Sequence, residues 1–218
     1  MDNQIETDMT LWYFADPMCS WCWGFSPVLG QIKEVYGDKI KIALMLGGLR
    51  PGTREPVTPE FRQETLHHWK SVQKVTGQVF DFSDPMPEGF VYDTEPASRA
   101  VVAVSDIHPE YTLAYFEEVQ KAFYTRQQDV TDVTVLTELA GIFSIGPRDF
   151  LNHFQDEQAV QKTQQHFQYT RQIGVRGFPA LVISTGKSFK MLANGYRSFQ
   201  DINRELEDWL QQGSQRDS

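Results

Sequence analysis

The chain has 218 residues, 40% of them hydrophobic and 22% charged, with a net charge of −9 and an isoelectric point near 5.0. Such a balance excludes a disordered chain and leaves room for one large domain, or for one domain carrying an inserted second one. It also argues against a membrane span, and its acidity argues against nucleic acid or an anionic membrane as partner.

Met1 to Asp8 shows neither a basic leader nor an apolar core of the secretory kind, which predicts a cytoplasmic protein with a loose polar lead-in over residues 1–9. Leu11-Trp12-Tyr13-Phe14 is rich in strand formers and predicts a first strand over 10–15, stopped by Asp16-Pro17. A helix follows, with Val28, Leu29, Ile32, Val35 and Tyr36 at helical spacing and Gly37-Asp38 at its end. Ser26 and Pro27 read as a second helix start, so a kink or restart is expected there. Ile40 to Leu46 reads as a buried central strand, the second of the chain, and strand–helix–strand makes a βαβ unit with parallel strands. Beyond the turn-rich connector Gly47 to Gly52, helices are expected over 58–76, 95–105, 109–124, 131–143, 147–154 and 157–173, with a long surface loop over 78–94. Ala180-Leu181-Val182-Ile183, a turn at 184–187 and Phe189 to Leu192 predict a hairpin. A last helix over 198–211 aligns Phe199, Ile202, Leu206, Trp209 and Leu210, ahead of a frayed polar tail. This order, β-α-β, then helices, then β-β-α, is that of a thioredoxin fold interrupted once.

Chemistry concentrates in Asp16-Pro17-Met18-Cys19-Ser20-Trp21-Cys22-Trp23, which holds both cysteines of the chain in a Cys-x-x-Cys spacing at the strand-to-helix junction. At a helix start that spacing brings two sulfurs near one helix end, where they can form and break a small disulfide ring. Free N–H groups and the positive end of the helix dipole stabilise a thiolate there, Cys19 above all. A structural zinc needs four ligands, and no second cysteine pair supplies them; His67 and His68 are not spaced as a finger or ribbon. A structural disulfide closing so short a loop removes little entropy from the unfolded chain, so a redox-active pair is the stronger reading.

The stretch from Asp16 to Phe25 resembles the active-site segment of the DsbA-like thioredoxin superfamily, in its cytoplasmic branch of predicted protein-disulfide isomerases related to FrnE. Gly174-Val175-Arg176-Gly177-Phe178-Pro179-Ala180-Leu181-Val182 is similar to that family's Gly-Val-x-Gly-x-Pro run. Asp93-Thr94-Glu95-Pro96-Ala97-Ser98-Arg99 is similar to its Asn-Thr-x-x-Ala-His-Arg segment, departing at Asp93 and Ser98. The resemblance implies an α/β, thioredoxin-like fold with an inserted all-helical subdomain: residues 1–48 and 174–218 form the thioredoxin-like part, residues 49–173 the insertion. It implies that Pro179 follows a cis peptide bond and faces the cysteines. Independently, a proline opening a strand lacks a ladder donor, and a cis bond there would turn the Phe178 N–H and C=O toward an extended substrate; the plainer reading is a trans proline opening an edge strand.

The expected activity is thiol-disulfide exchange or isomerisation on protein or peptide disulfides, with Cys19 as nucleophile and Cys22 as resolving thiol. Pro179, Phe178 and Trp21 are assigned to substrate positioning. Trp23 reads as core, Tyr111, Tyr115, Phe116, Phe123 and Tyr124 as the core of the insertion, and Gly47, Gly48 and Arg50 as a weak substrate contact after the second strand. His67, His68, His108, His153 and His166 read as surface or capping residues. No metal or other cofactor is expected beyond the redox disulfide, with glutathione as a candidate reductant. Two alternatives stand beside this reading. One is a glutathione-dependent transferase or isomerase of the kappa-class or 2-hydroxychromene-2-carboxylate isomerase type, which usually carries serine at the place of Cys19. The other is a non-catalytic peptide-binding or chaperone module.

Overall fold

The computed structural model describes residues 9–185 and 188–216; residues 1–8 of the lead-in expected over 1–9, turn residues Gly186 and Lys187, and the last two residues lie outside them, while Met9 already belongs to the first strand. Strand β1 (Met9–Ala15) runs parallel to β2 (Lys41–Leu46), and α1 (Ser20–Tyr36) connects the two. Strand β3 (Ala180–Thr185) lies antiparallel to β1 on its other side, and β4 (Ser188–Asn194) pairs antiparallel with β3. The mixed four-stranded sheet therefore has the order β2-β1-β3-β4, a DsbA-like thioredoxin arrangement in which β2, expected as a buried central strand, lies at an edge and is mostly half-buried, because only β1 pairs with it. Register places Leu11, Tyr13 and Ala15 opposite Ile42, Leu44 and Leu46, so alternate residues of β1 face the helices while Trp12 and Phe14 face the other way.

Between β2 and β3 run α2 (Pro59–Thr76), α3 (Glu95–Ile107), α4 (Thr112–Arg126), α5 (Val133–Gly141), α6 (Pro147–Gln155) and α7 (Glu157–Gln172). Thr58 caps α2 by accepting the Phe61 N–H at 3.2 Å, and Pro59 takes the first helical position, where its missing N–H costs nothing. The helix expected from Pro109 begins instead at Thr112, behind a 3₁₀ turn over Pro109–Tyr111. Likewise α5 starts at Val133, because the Asp132 carboxylate caps the Thr134 N–H at 2.7 Å. A final helix, α8 (Phe199–Arg216), buries Ile202 and Leu206 and runs past the expected end at 211. Sheet and helices share one hydrophobic core, from Leu11 and Tyr13 through Val101 and Phe123 to Leu136 and Leu206.

The helix restart expected as one outcome at Ser26 and Pro27 does not occur: α1 is continuous through the proline. Pro27 cannot donate to the Trp23 carbonyl four residues back, an omission that ordinarily weakens a helix. Here Gln78 Nε2 donates to that oxygen at 2.9 Å and Ser26 Oγ donates to it at 3.0 Å, so the orphaned acceptor is satisfied from outside the helix. Gly24 allows α2 to pack against this stretch, since a Cβ there would stand 2.7 Å from Val72 and 2.9 Å from Thr76.

The segment over 78–94 is irregular in backbone but does not merely cross the surface. Phe80, Met86, Phe90 and Tyr92 are buried and join Trp69, Phe123 and Tyr124 in an aromatic cluster, with Trp69 and Tyr124 ring centroids 4.9 Å apart. Four large apolar side chains in one loop bury more surface than solvent exposure would tolerate, so the loop becomes a wall of the core. Tyr115, Phe116, Phe123 and Tyr124 are core residues as expected, whereas Tyr111 is exposed because it falls in the 3₁₀ turn.

Candidate active site

The chain leaves β1 at Asp16, whose side chain is fully buried. Its Oδ1 accepts the Met18 N–H at 2.9 Å and its Oδ2 accepts the Leu49 N–H at 2.7 Å, tying the loop before α1 to the connector after β2. The Cys19 N–H donates to the Asp16 carbonyl at 3.1 Å, and the buried Tyr92 hydroxyl donates to the Met18 carbonyl. Together these bonds set Cys19 as the N-cap of α1, in extended conformation, with the Trp23 N–H donating to its carbonyl at 3.0 Å. No side chain caps this helix and no acidic residue occupies its first turn. The positive helix end is left to whatever negative charge arrives at the Cys19 sulfur.

Both cysteines are unpaired in this structure. Cys19 is 6% exposed and its Sγ–H points to the Phe178 carbonyl at 3.6 Å. The Phe178–Pro179 peptide bond is cis, and it is the turn before β3 that brings this carbonyl to the cysteine. One helical turn further in, Cys22 is 0% exposed. Burial pushes the Cys22 thiol well above its usual value, and the hydrogen bond and charge of Cys19 push the same way. Around it stand Tyr13, whose hydroxyl reaches the Cys22 carbonyl at 3.5 Å, and Tyr124; burial raises both phenols far above their ordinary range. Burial also lifts the Asp16 carboxyl to about 6, against the opposing effect of the bonds from Leu49 and Met18.

Cys19 opens into a pocket of about 310 Å³ whose walls include Trp21, Arg50, Phe61, His68, Tyr92 and Phe178. A wider groove of about 930 Å³ on the far side of α2, between Val57, Leu66 and Pro87, contains neither cysteine. Of the two spaces, only the smaller one is lined by a cysteine. Trp21 is half-buried with its ring 6.0 Å from that of Tyr196, and Phe178 is half-buried at the rim. Trp23 instead stacks on Tyr124 at 6.2 Å, and its Nε1 donates to the Val79 carbonyl at 2.9 Å, a core role.

Two glycines assigned to substrate contact serve packing. A Cβ on Gly47 would stand 2.1 Å from the Phe178 ring, and a Cβ on Gly48, whose φ is +67°, 2.7 Å from the Phe167 ring; both places are already filled. His166 departs from its assignment as a surface or capping residue. Half-buried on α7, its Nδ1 accepts the Leu46 N–H at 3.3 Å and so holds the end of β2. His68 is exposed as expected, yet it stands in the wall of the cysteine pocket. In the segment beginning at Asp93, Asp93 Oδ1 accepts the Gly52 N–H at 2.8 Å and Thr94 Oγ1 accepts the Arg50 N–H at 3.1 Å, so it clamps the connector.

Asp16, Tyr92 and Phe61 were not singled out as site residues by the sequence. Asp16 read as a strand stop, though a carboxylate locked between two apolar runs and three residues before a cysteine is itself a signal of a buried acid. Tyr92 and Phe61 carry no local signature, since only the tertiary fold brings them to Cys19.

The family model of the DSBA-like thioredoxin domain matches residues 10–207. A candidate protein disulfide isomerase from Nitrosomonas europaea is 45% identical, with 94% of this chain and 98% of that one covered and a TM-score of 0.88. The cytosolic disulfide reductase DsbM of Pseudomonas aeruginosa is 25% identical over 93% of this chain and 98% of its own, with a TM-score of 0.77, and a structure of DsbM with GSH gives 24% and 0.73. Among curated proteins, the ClpXP adapter protein SpxH of Halalkalibacterium halodurans is 21% identical over 180 residues; the alignment takes in 80% of this chain and 58% of that relative's length. Among the described residues no helix is long and apolar enough to cross a membrane. A cysteine pair at the start of the first helix, backed by a sheet in this strand order and matched by that family over nearly its whole length, makes the chain a member of the DSBA-like thioredoxin domain family.

Proposed function

We propose that the protein is a thiol-disulfide oxidoreductase working in the cytoplasm, in the reducing or isomerising direction, on peptide, protein or glutathione-linked disulfides. The observation that carries this reading is the asymmetry of the pair: Cys19 caps the helix at the mouth of a pocket while Cys22 is sealed behind it. The likeness to DsbM, a cytosolic disulfide reductase also solved with GSH, supports both the compartment and glutathione as a partner.

In the reaction, the Cys19 thiolate attacks one sulfur of a disulfide RSSR′. The S–S bond breaks, R′S⁻ leaves and takes up a proton, and Cys19 becomes joined to RS in a mixed disulfide. Cys22 then gives up its proton and attacks the Cys19 sulfur, which closes the Cys19–Cys22 disulfide and releases RS⁻ to be protonated. The substrate has gained two electrons and the enzyme has lost them. Two equivalents of a thiol such as glutathione restore the dithiol. The raised Cys22 thiol keeps its proton while Cys19 waits for substrate, so only one of the two sulfurs attacks from outside.

Insulin disulfide reduction tests this directly. Cys19→Ser is expected to lose essentially all activity, and Cys22→Ser to accumulate a mixed disulfide through Cys19; undiminished turnover in Cys19→Ser contradicts the reading. The adapter name of the curated relatives supports a second reading, a protein-binding module, and a Cys22→Ser trap that captures no disulfide substrate would favour it.

A further inference from the structure

Arg50 stands in the wall of the Cys19 pocket with no acidic partner. Its Nε is buried and makes no hydrogen bond, and the guanidinium lies over the Phe61 ring, 4.3 Å from the ring centre. Arg62, Arg99, Arg126 and Arg197 each have a carboxylate within 3.0 Å, whereas Arg50, like Arg54, Arg148, Arg171, Arg176 and Arg204, has none within ion-pair distance among the described residues; of these six, Arg50 alone lines the Cys19 pocket. Nor is it a loose surface chain. Its backbone N–H donates to Thr94 Oγ1 at 3.1 Å and its carbonyl accepts the Thr94 N–H at 3.4 Å, so the residue is pinned at both ends while its head faces the cavity.

The pocket itself has an unusual charge. The chain carries 29 acidic and 20 basic residues, yet no aspartate or glutamate lines this space, while Arg50 does; His68 lines it too, with Glu64 3.8 Å from its Nε2. A guanidinium stripped of part of its water and supported on an aromatic face offers a planar fork of donors that matches a carboxylate. A volume of about 310 Å³ suits a ligand the size of a short peptide rather than a folded domain.

We infer that Arg50 anchors a carboxylate of the substrate, so that the preferred substrates of Cys19 are small or peptide disulfides bearing a carboxylate a few bonds from the sulfur under attack. This rests on the thiol-disulfide exchange proposed above and names the substrate class it selects. The anchor holds one end of the substrate on the connector while Cys19 meets the sulfur at the helix start. A protein of net charge −9 otherwise repels such anions, so a preference for them requires a local cation.

The test uses two small disulfides that differ in charge, 3,3′-dithiodipropionate and neutral 2-hydroxyethyl disulfide. Each is mixed with the pre-reduced full chain, and oxidation is followed by the fluorescence of Trp21 and Trp23. The wild-type protein is expected to react faster with the dicarboxylate, by a ratio that shrinks as salt is raised. Arg50→Met should lower the ratio of the two rate constants roughly 10-fold or more, and Arg50→Lys, which keeps the charge without the fork, should restore part of it. Equal slowing of both disulfides in Arg50→Met, or a wild-type ratio at or below one that is indifferent to salt, overturns the anchor while leaving the exchange chemistry standing. Failure of both disulfides to oxidise the wild-type pair would overturn the exchange reading and the anchor with it.

Discussion

Cys19 and Cys22 are one helical turn apart, yet their surroundings have little in common. The mouth around Cys19 is built from three loops, the segment before α1, the connector carrying Arg50 and the cis turn at Phe178–Pro179, closed on one side by Phe61, Thr65 and His68 of α2. The interior around Cys22 is built from regular elements and aromatic rings, with Tyr13 of β1 and Tyr124 of α4 against it. Hydrogen bonds of the backbone fix the first region, and burial fixes the second. The contrast teaches why a dithiol can be asymmetric within so short a spacing: the N-cap position gives one sulfur access and a positive helix end, and a rotation of about 300° along three residues carries the other into the core.

Asp16 joins the two regions, and its substitution has the largest effect expected here. Its folded value of about 6 exceeds the ordinary 3.8, so the folded state binds its proton more tightly than the unfolded state. The resulting stability is complete below 3.8 and is lost as pH rises through 6, a change of about 3 kcal/mol. In urea unfolding, the stability of the wild type relative to Asp16→Asn should therefore fall by about that amount between roughly pH 4 and pH 7. Asparagine offers only one acceptor to the Met18 and Leu49 N–H groups, a loss that does not depend on pH and leaves the slope readable. A relative stability that is flat across this window, or that rises, would separate Asp16 from the interior.

Gln78→Ala probes the interior alone. It leaves the Trp23 carbonyl, already without its helical donor because of Pro27, with only the Ser26 hydroxyl. A loss of about 1 kcal/mol in unfolding free energy is expected, without change in the rate at which Cys19 is alkylated. A change in that rate instead would show that the mouth depends on the interior and would blur the comparison.

How much of this was legible in the sequence follows the same division. The strands, the order of elements and the cysteine pair announce themselves through short-range patterns: alternation in β1, the spacing of Cys19 and Cys22, the apolar stripe of α8. Pro27 misled where a local rule allowed a restart, while the donor that removes its cost comes from Gln78, 51 positions on in the chain. The loop over 78–94 misled in the opposite way, since its prolines and aspartates speak for surface and its four buried apolar side chains only find partners once α2 and α4 are in place. Gly47 and Gly48 were noticed for their position, but what fills the space beside them, Phe178 and Phe167, is distant in sequence. Arg50 was noticed too; that it stands without an ion pair in the same pocket as Cys19 is a statement about its neighbours, which no motif holds.

The most direct test of the central claim is differential alkylation of the reduced, native protein. The wild type is treated with iodoacetamide for increasing times, then unfolded, labelled with a heavier reagent and mapped by mass spectrometry. Cys22 is fully buried, whereas Cys19 keeps 6% exposure at the pocket wall, which predicts that native labelling falls on Cys19, with Cys22 labelled only after unfolding. Labelling of Cys22 in the native protein at a rate equal to that of Cys19, or faster, would contradict the division of roles on which the proposed function stands.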